Sequence, residues 1–303
     1  MQIATALQEY LSTCTLKPST LGVYRLFIDK HIAPYFGPIT ASELCSEKIK
    51  GFADKLLECG LSNAKIKSIV GFMKKGLKGK YKQDIFSLDL ESPEEKRVIS
   101  LNLKEQKKLE TYAMVSDSIN RIGVFLCLYT GIKIGELCGL MWRDVCFRKN
   151  QICVSRTVQR IKNQENDSQK KTMVVNLELT GKLRRSIPLV DFLIDMLLEH
   201  KESSIGEYVI SQNGQLVEPR KMQYRLKKLL AEAGLPPICF NALRHTFVLR
   251  ALESDFDITA LSEILGHASV QVTYSKYALV YDKMDVKRFG MIRLASFFRA
   301  GDL

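Results

Sequence analysis

The feature that most constrains this chain is a change in its hydrophobic period. Up to about residue 84, apolar side chains recur only at helical spacing. Ile3, Leu7, Tyr10 and Leu11 share one face, and Pro18-Ser19-Thr20 opens a second run through Tyr24, Phe27 and Ile28 that ends near Pro34. Thr40 or Ser46 caps a third run through Ile49, Phe52 and Leu56, closed by Gly60, and Ser62 starts a fourth through Ile66, Ile69, Val70, Met73 and Leu77. Residues 85–100, IFSLDLESPEEKRVIS, are acidic, contain Pro93 and hold no period, which places a linker there. Beyond it, helical runs over Leu103 to Met114, Ile119 to Tyr129 and a short piece ending at Trp142 give way to strand-like alternation. The strands are expected at Ile152 and Val154, Met173 to Leu179 and Ser186 to Leu189, the first two joined by the polar hairpin RIKNQENDSQKKT. After Val190 the pattern is helical again, apart from Tyr208 to Ile210. The expectation is a mainly α chain with a small antiparallel sheet (α+β): a helical domain over 1–84, a linker over 85–100 and a larger domain over 101–303.

With 46% hydrophobic residues among 303, the chain can build cores, which excludes disorder. No apolar run reaches the roughly 18 residues of a membrane span, and the N-terminus lacks the charged and apolar regions of a secretory signal, so a cytoplasmic location is expected. The eight cysteines are scattered without a CxxC and read as reduced core thiols, and the four histidines do not form a metal set. A net charge of +12 asks for a polyanionic partner, nucleic acid first.

Part of that charge is concentrated. Residues 59–83 hold Lys65, Lys67, Lys74, Lys75, Lys78, Lys80 and Lys82 and not one acid. A solvated helix face is the plainer reading of such a run, and a phosphate-contacting surface the sharper one. Arg220, Lys221, Arg225, Lys227 and Lys228 on a later helix, and Arg184 with Arg185 after the hairpin, carry the same two readings.

Chemistry is more specific near the C-terminus. Asn241-Ala242-Leu243-Arg244-His245-Thr246-Phe247 is followed by Leu265-Gly266-His267-Ala268-Ser269 and then by Val272-Thr273-Tyr274-Ser275-Lys276-Tyr277. About a hundred residues upstream of the first block lies Thr130-Gly131-Ile132-Lys133-Ile134-Gly135-Glu136-Leu137. In this order and spacing the blocks resemble the tyrosine recombinase (phage integrase) family over nearly the whole chain. The resemblance implies a helical core-binding domain plus a catalytic domain that together clamp double-stranded DNA, in a minimal two-domain integrase of a mobile element. A tyrosine hydroxyl attacks phosphorus and keeps the bond energy in a phosphotyrosyl link, so no cofactor, ATP or metal is implied. Two arginines hold the nonbridging oxygens, a hairpin lysine protonates the leaving oxygen, and histidines complete the hydrogen bonding.

Carried onto this sequence, the nucleophile falls on Tyr277, with Tyr274 one turn earlier as the second candidate. Arg244 takes the second arginine and His267 the histidine, while His245 is expected to pack under its helix. Three positions depart: Lys133 stands for the first arginine, Asn241 for the histidine three residues before Arg244, and Leu179 for the hairpin lysine, with Lys182 as its nearby substitute. Each loss at a reacting phosphate costs roughly 10²–10³ in rate, whereas DNA affinity is spread over many contacts. The expectation is therefore a DNA-binding recombinase with impaired cleavage, or a degenerate relative kept as a DNA-binding regulator or architectural partner. The resemblance also implies a homo-oligomer on DNA, a tetramer if active, assembled through an amphipathic C-terminal helix after Tyr277, with an accessory DNA-binding factor as a further partner.

Overall fold

The computed structural model describes residues 1–81, 85–90, 98–162 and 172–281, without the side chains of 162, 172, 173 and 279–281. Lys82, the hairpin tip and the expected C-terminal helix lie outside the described residues. The chain divides into two compact units, Met1–Arg97 with Ile161–Met173, and Val98–Arg160 with Val174 onward.

The first unit is helical: α1 (Ile3–Thr13), α2 (Pro18–Phe27), α3 (Ala33–Phe36), α4 (Ser46–Glu58) and α5 (Asn63–Gly76). Its core is aromatic. Phe27, Phe36, Phe52 and Phe72 are almost fully buried, and Tyr24 stacks on Phe72 at 4.3 Å between ring centroids. Each such side chain contributes about 1.5–3 kcal/mol on leaving water.

Three expectations change here. The second helix does not stop near Pro34. A π-turn over Ile28–Ile32 links α2 to α3, and Pro34 sits in the first turn of α3 within this continuous helical run. Residues 85–90 are also not an open linker, because Ile85 and Phe86 are buried in the first core and Phe86 meets Tyr81 edge-on at 5.0 Å. Thr40 caps a short 3₁₀ turn, Ala41–Glu43, rather than α4, which begins at Ser46.

The second unit begins with α6 (Leu103–Met114), whose first turn is closed by a reciprocal pair: Glu105 N–H donates to Asn102, and Asn102 N–H donates to the Glu105 carboxylate. Asp117 caps α7 (Ser118–Thr130), a largely buried helix, and α8 (Ile134–Cys138) follows after a tight turn. Next come β1 (Val145–Cys146), β2 (Gln151–Val154), β3 (Arg156–Lys162), β4 (Thr172–Glu178) and β5 (Arg185–Pro188). β1, β2 and β5 form an antiparallel sheet in that order, with Ile152 opposite both Val145 and Ile187, and β3 pairs with β4. The chain then runs through α9 (Asp191–Ser203), the hairpin β6 (Ser211–Gln212) and β7 (Gln215–Leu216), α10 (Pro219–Glu232), α11 (Phe240–Glu253), α12 (Ile258–Leu265) and α13 (Val270–Tyr281). The chain is thus mainly helical with small antiparallel sheets.

The cysteines differ from expectation. Cys127 and Cys138 are core thiols, but Cys59 and Cys239 are exposed and the other four are half-buried; all eight are free. Among the described residues no helix is long and apolar enough to cross a membrane.

Candidate active site

The site is assembled where α7 stops. Gly131 takes a left-handed conformation with φ of 63°, and a side chain there would collide with the Phe247 ring. The turn exposes the Gly131 carbonyl, which accepts a hydrogen bond from Arg244 Nη1. Arg244 Nη2 donates to Leu265 O at 2.8 Å and to His267 Nε2 at 3.3 Å. One buried guanidinium, 3% exposed, therefore ties together the ends of α7, α11 and α12.

The histidine is oriented by the same contact. A guanidinium only donates, so His267 Nε2 accepts and the ring proton sits on Nδ1, which donates to the fully buried Thr273 at 2.7 Å. Burial first, and then Arg244, Lys276, Lys133 and Arg185, push His267 down to about 4. The ring is neutral at physiological pH.

Beside it lies a buried ion pair. Arg185 forks onto Glu136 with both oxygens engaged, at 3.2 and 2.7 Å, and also donates to Ile264 O and Leu183 O. Gly266, at φ of 64°, leaves room for the Arg185 side chain. Arg185 is therefore not the surface phosphate contact that its place after the hairpin implied: its charge is spent on Glu136, out of water. Burial alone would raise the Glu136 carboxyl, but Arg185 and Lys133 outweigh it and hold it below the usual range. Lys133 caps α8 through its N–H, which donates to Glu136 at 3.1 Å, and its ammonium lies 3.5 Å from the same carboxylate, 42% exposed. Burial, opposed by Glu136, lowers the Lys133 ammonium.

Tyr277 and Tyr274 are separated by geometry. Tyr277 is 1% exposed and its hydroxyl lies 2.6 Å from His245 Nδ1, whereas Tyr274 is 40% exposed. Burial pushes the Tyr277 hydroxyl up to about 12, against the pull of Arg244. His245 does pack under its helix, yet it also touches the Tyr277 hydroxyl, which the sequence reading missed. Its other nitrogen, Nε2, lies 2.7 Å from the Asn241 amide. Lys276 was missed as well: its ammonium stands 5.7 Å from the Tyr277 ring and is lowered by burial and by Arg244 and Lys133.

The hairpin positions separate too. Leu179 packs against the core of the second unit, so no cation stands there. Lys182 reaches the His267 loop, donating to Ala268 O at 3.1 Å.

Of the surface cations, Arg184, Arg220 and Lys221 are exposed. Arg220, Tyr224 and Lys227 share one face of α10 and, with Pro237, Ile238 and Cys239, line a groove of about 640 Å³. Arg225 and Lys228 are instead engaged with Asp117 and Glu232. In the first unit Lys67, Lys74, Lys75 and Lys78 are exposed, Lys65 lies 4.4 Å above the Phe27 ring, and Lys80 faces Glu9 at 3.8 Å.

A buried arginine in contact with a histidine, whose charge also reaches Lys276 and the Tyr277 hydroxyl, thus stands on a helical unit with a small sheet. Residues 93–284 match the phage integrase family and residues 4–57 match the phage integrase N-terminal SAM-like domain, so the chain belongs to the phage integrase family of tyrosine recombinases. It is 26% identical to a XerC-like tyrosine recombinase of Caldanaerobacter subterraneus subsp. tengcongensis, over 88% of this chain and 75% of that one. It is 25% identical to the ICEBs1 integrase of Bacillus subtilis, over 91% and 78%. In fold it resembles the Tn1549 transposon integrase in complex with transposon right end DNA, with a TM-score of 0.76, 20% identity and coverage of 95% and 99%. It also resembles a lambda integrase dimer bound to a COC′ core site, with a TM-score of 0.65, 18% identity and coverage of 90% and 97%.

Proposed function

We propose that this chain is the integrase of a mobile genetic element that cuts and rejoins double-stranded DNA through Tyr277. The observation that carries the reading is that buried Arg244 touches His267 while its charge reaches the buried Tyr277 hydroxyl, which itself contacts the neighbouring His245. In the reaction the Tyr277 oxygen bonds to phosphorus as the bond to the 5′ oxygen breaks. Lys182, seated on the His267 loop, gives that oxygen its proton, and the freed 5′ hydroxyl of a partner strand later reverses the step. Arg244 and Lys133 hold the nonbridging oxygens, Lys133 as a single point charge without the planar fork of arginine. With the apolar, half-buried Leu179 at the hairpin position and Lys133 divided between phosphate and Glu136, cleavage is slow relative to a site with two free arginines.

The exposed lysines of α5, together with Arg184, Arg220 and Lys221, supply the phosphate contacts that hold DNA. The solved relatives with DNA support that partner, and residues beyond Tyr281 supply assembly into a tetramer on DNA, with an accessory DNA-binding factor where the element encodes one. The place of action is the cytoplasmic nucleoid.

Leu179 also favours a second reading, a recombinase relative kept as a DNA-binding partner with no cleavage of its own. A suicide duplex, nicked so that the released fragment diffuses away, decides between them. The first reading expects a covalent adduct that Tyr277→Phe abolishes with little change in affinity, and that Lys133→Arg increases about tenfold. Binding with no adduct at any pH establishes the second.

A further inference from the structure

We propose that His245 is the general base that takes the Tyr277 proton, and that Asn241 is the positioning residue that holds its ring. The inference rests on the recombinase reading and assigns to this chain a proton route through residues that its departures from the family leave in contact.

The three groups form a line. Asn241 lies 2.7 Å from His245 Nε2, and His245 Nδ1 lies 2.6 Å from the Tyr277 hydroxyl, with the two rings packed edge-on at 5.6 Å. Asn241 and His245 are four apart on α11, which places both on one helix face. α13 brings Tyr277 to the inner end of the line, while Asn241 stands exposed at the outer end.

An amide is suited to the outer place. With its oxygen toward Nε2 the amide accepts the Nε2–H, which leaves the Nδ1 lone pair for the Tyr277 hydroxyl; in the orientation seen here Nδ2 faces Nε2 and donates to it, which fixes the opposite tautomer, so the proposed route calls for a 180° turn of the Asn241 amide. In the first orientation the proton balance closes. Tyr277 gives its proton to Nδ1, the phenolate oxygen forms the bond to phosphorus, and the imidazolium donates Nε2–H to Asn241. On rejoining, Nδ1–H returns the proton to the departing phenolate. No oxidant, metal or further reactant is needed.

The charged groups facing the ring are Lys276 on α13 and Arg244 on its own helix. Burial, aided by both cations, pushes His245 down to about 4, so the ring is neutral and able to accept at physiological pH. A hydroxyl near 12 does not ionise unaided at that pH. The cations also confine the imidazolium to a short life, which suits a group that must return the proton.

The test uses the full chain on a suicide duplex carrying a site selected from random DNA, with adduct formation followed from pH 6 to 9. The wild-type rate should be flat. His245→Gln should be slower by about 10²–10⁴ at pH 7 and rise roughly tenfold per pH unit, because Tyr277 must then ionise before attack. Sulfur in place of the bridging 5′ oxygen, which leaves without a proton, should leave that deficit intact. Asn241→Asp, at an exposed position, should raise the His245 pKa and make the rate fall toward pH 6.

His245→Gln cleaving at the wild-type rate with a flat profile overturns the proposal, as does full rescue by the sulfur substrate, which would make His245 part of the acid route. If His245→Gln fails to bind DNA, Asn241→Asp decides, and an unchanged profile there overturns it. Wild-type protein forming no adduct brings down the recombinase reading together with this one; an adduct equal in wild type and His245→Gln removes only this one.

Discussion

The two units treat charge in opposite ways. The first keeps Lys67, Lys74 and Lys75 of α5 exposed around a core of tilted and stacked aromatic rings, whereas the second takes charges inside: Arg185 with Glu136, Arg156 with Asp144, and Arg244 against two carbonyls. Surface cations act collectively and without fixed geometry, so any one is dispensable. A buried cation has no water to fall back on and must find each partner at a set distance. On the proposed reading, DNA affinity is spread over many side chains, while the chemistry is concentrated in a few.

Four measurements break or sharpen that contrast. The largest effect is expected from Glu136→Gln, which leaves Arg185 without its carboxylate and should cost about 3–5 kcal/mol in urea unfolding of the full chain; a loss below about 1 kcal/mol would make the buried pair no different from a surface one. Replacing Lys67, Lys74, Lys75 and Lys78 together by Gln should leave stability unchanged, but flatten the log-affinity against log-salt slope by about 3–4 for all DNA sequences alike. An unchanged slope would return these lysines to plain solvated charge.

Acid should act on the second unit. His245 and His267 titrate near 4 in the folded chain against an ordinary 6.5, so the unfolded chain binds more protons between these values. Stability is therefore full above about pH 6.5 and falls as pH drops toward 4, by about 1–2 kcal/mol for the pair after allowing for solvent screening. Glu136, held below its usual range, adds loss of the same sign at still lower pH. A urea midpoint that is level between pH 7 and 5 would contradict the burial of both rings. The smallest effect belongs to Glu9→Ala, which removes the long, exposed pair with Lys80 and should change stability by less than about 0.5 kcal/mol.

The helical faces were legible in the sequence because burial on one side imposes a period; Ile3, Leu7 and Leu11 lie in the core as their spacing requires. The π-turn before Pro34 was not, since it depends on how α2 meets the core rather than on any local residue. The hairpin at Asn213-Gly214 was overlooked although its turn carries the strongest short-range signal: both residues adopt positive φ. In the site, Arg244 and His267 touch, and Tyr277 lies within reach of the Arg244 charge; the three blocks that carry them had been connected by the family resemblance. Arg185 was misread because a cation paired inside and a cation facing DNA look alike in a sequence, and its partner Glu136 is 49 residues away. His245 was legible as buried, but its contact with Tyr277, 32 residues on, depends on how α13 docks.

The bonds of Arg185 also bear on how the molecule comes into being. This one side chain joins β5 to a carboxylate 49 residues before it and to a carbonyl 79 residues after it. Contacts so far apart close large loops and form late, after local helices have been made. No fragment and no early folding intermediate can hold Lys133, Arg244 and His267 in register. A partly synthesised chain therefore lacks the assembled site, and in refolding experiments the contacts of Arg185 should return only with the slowest phase of recovery.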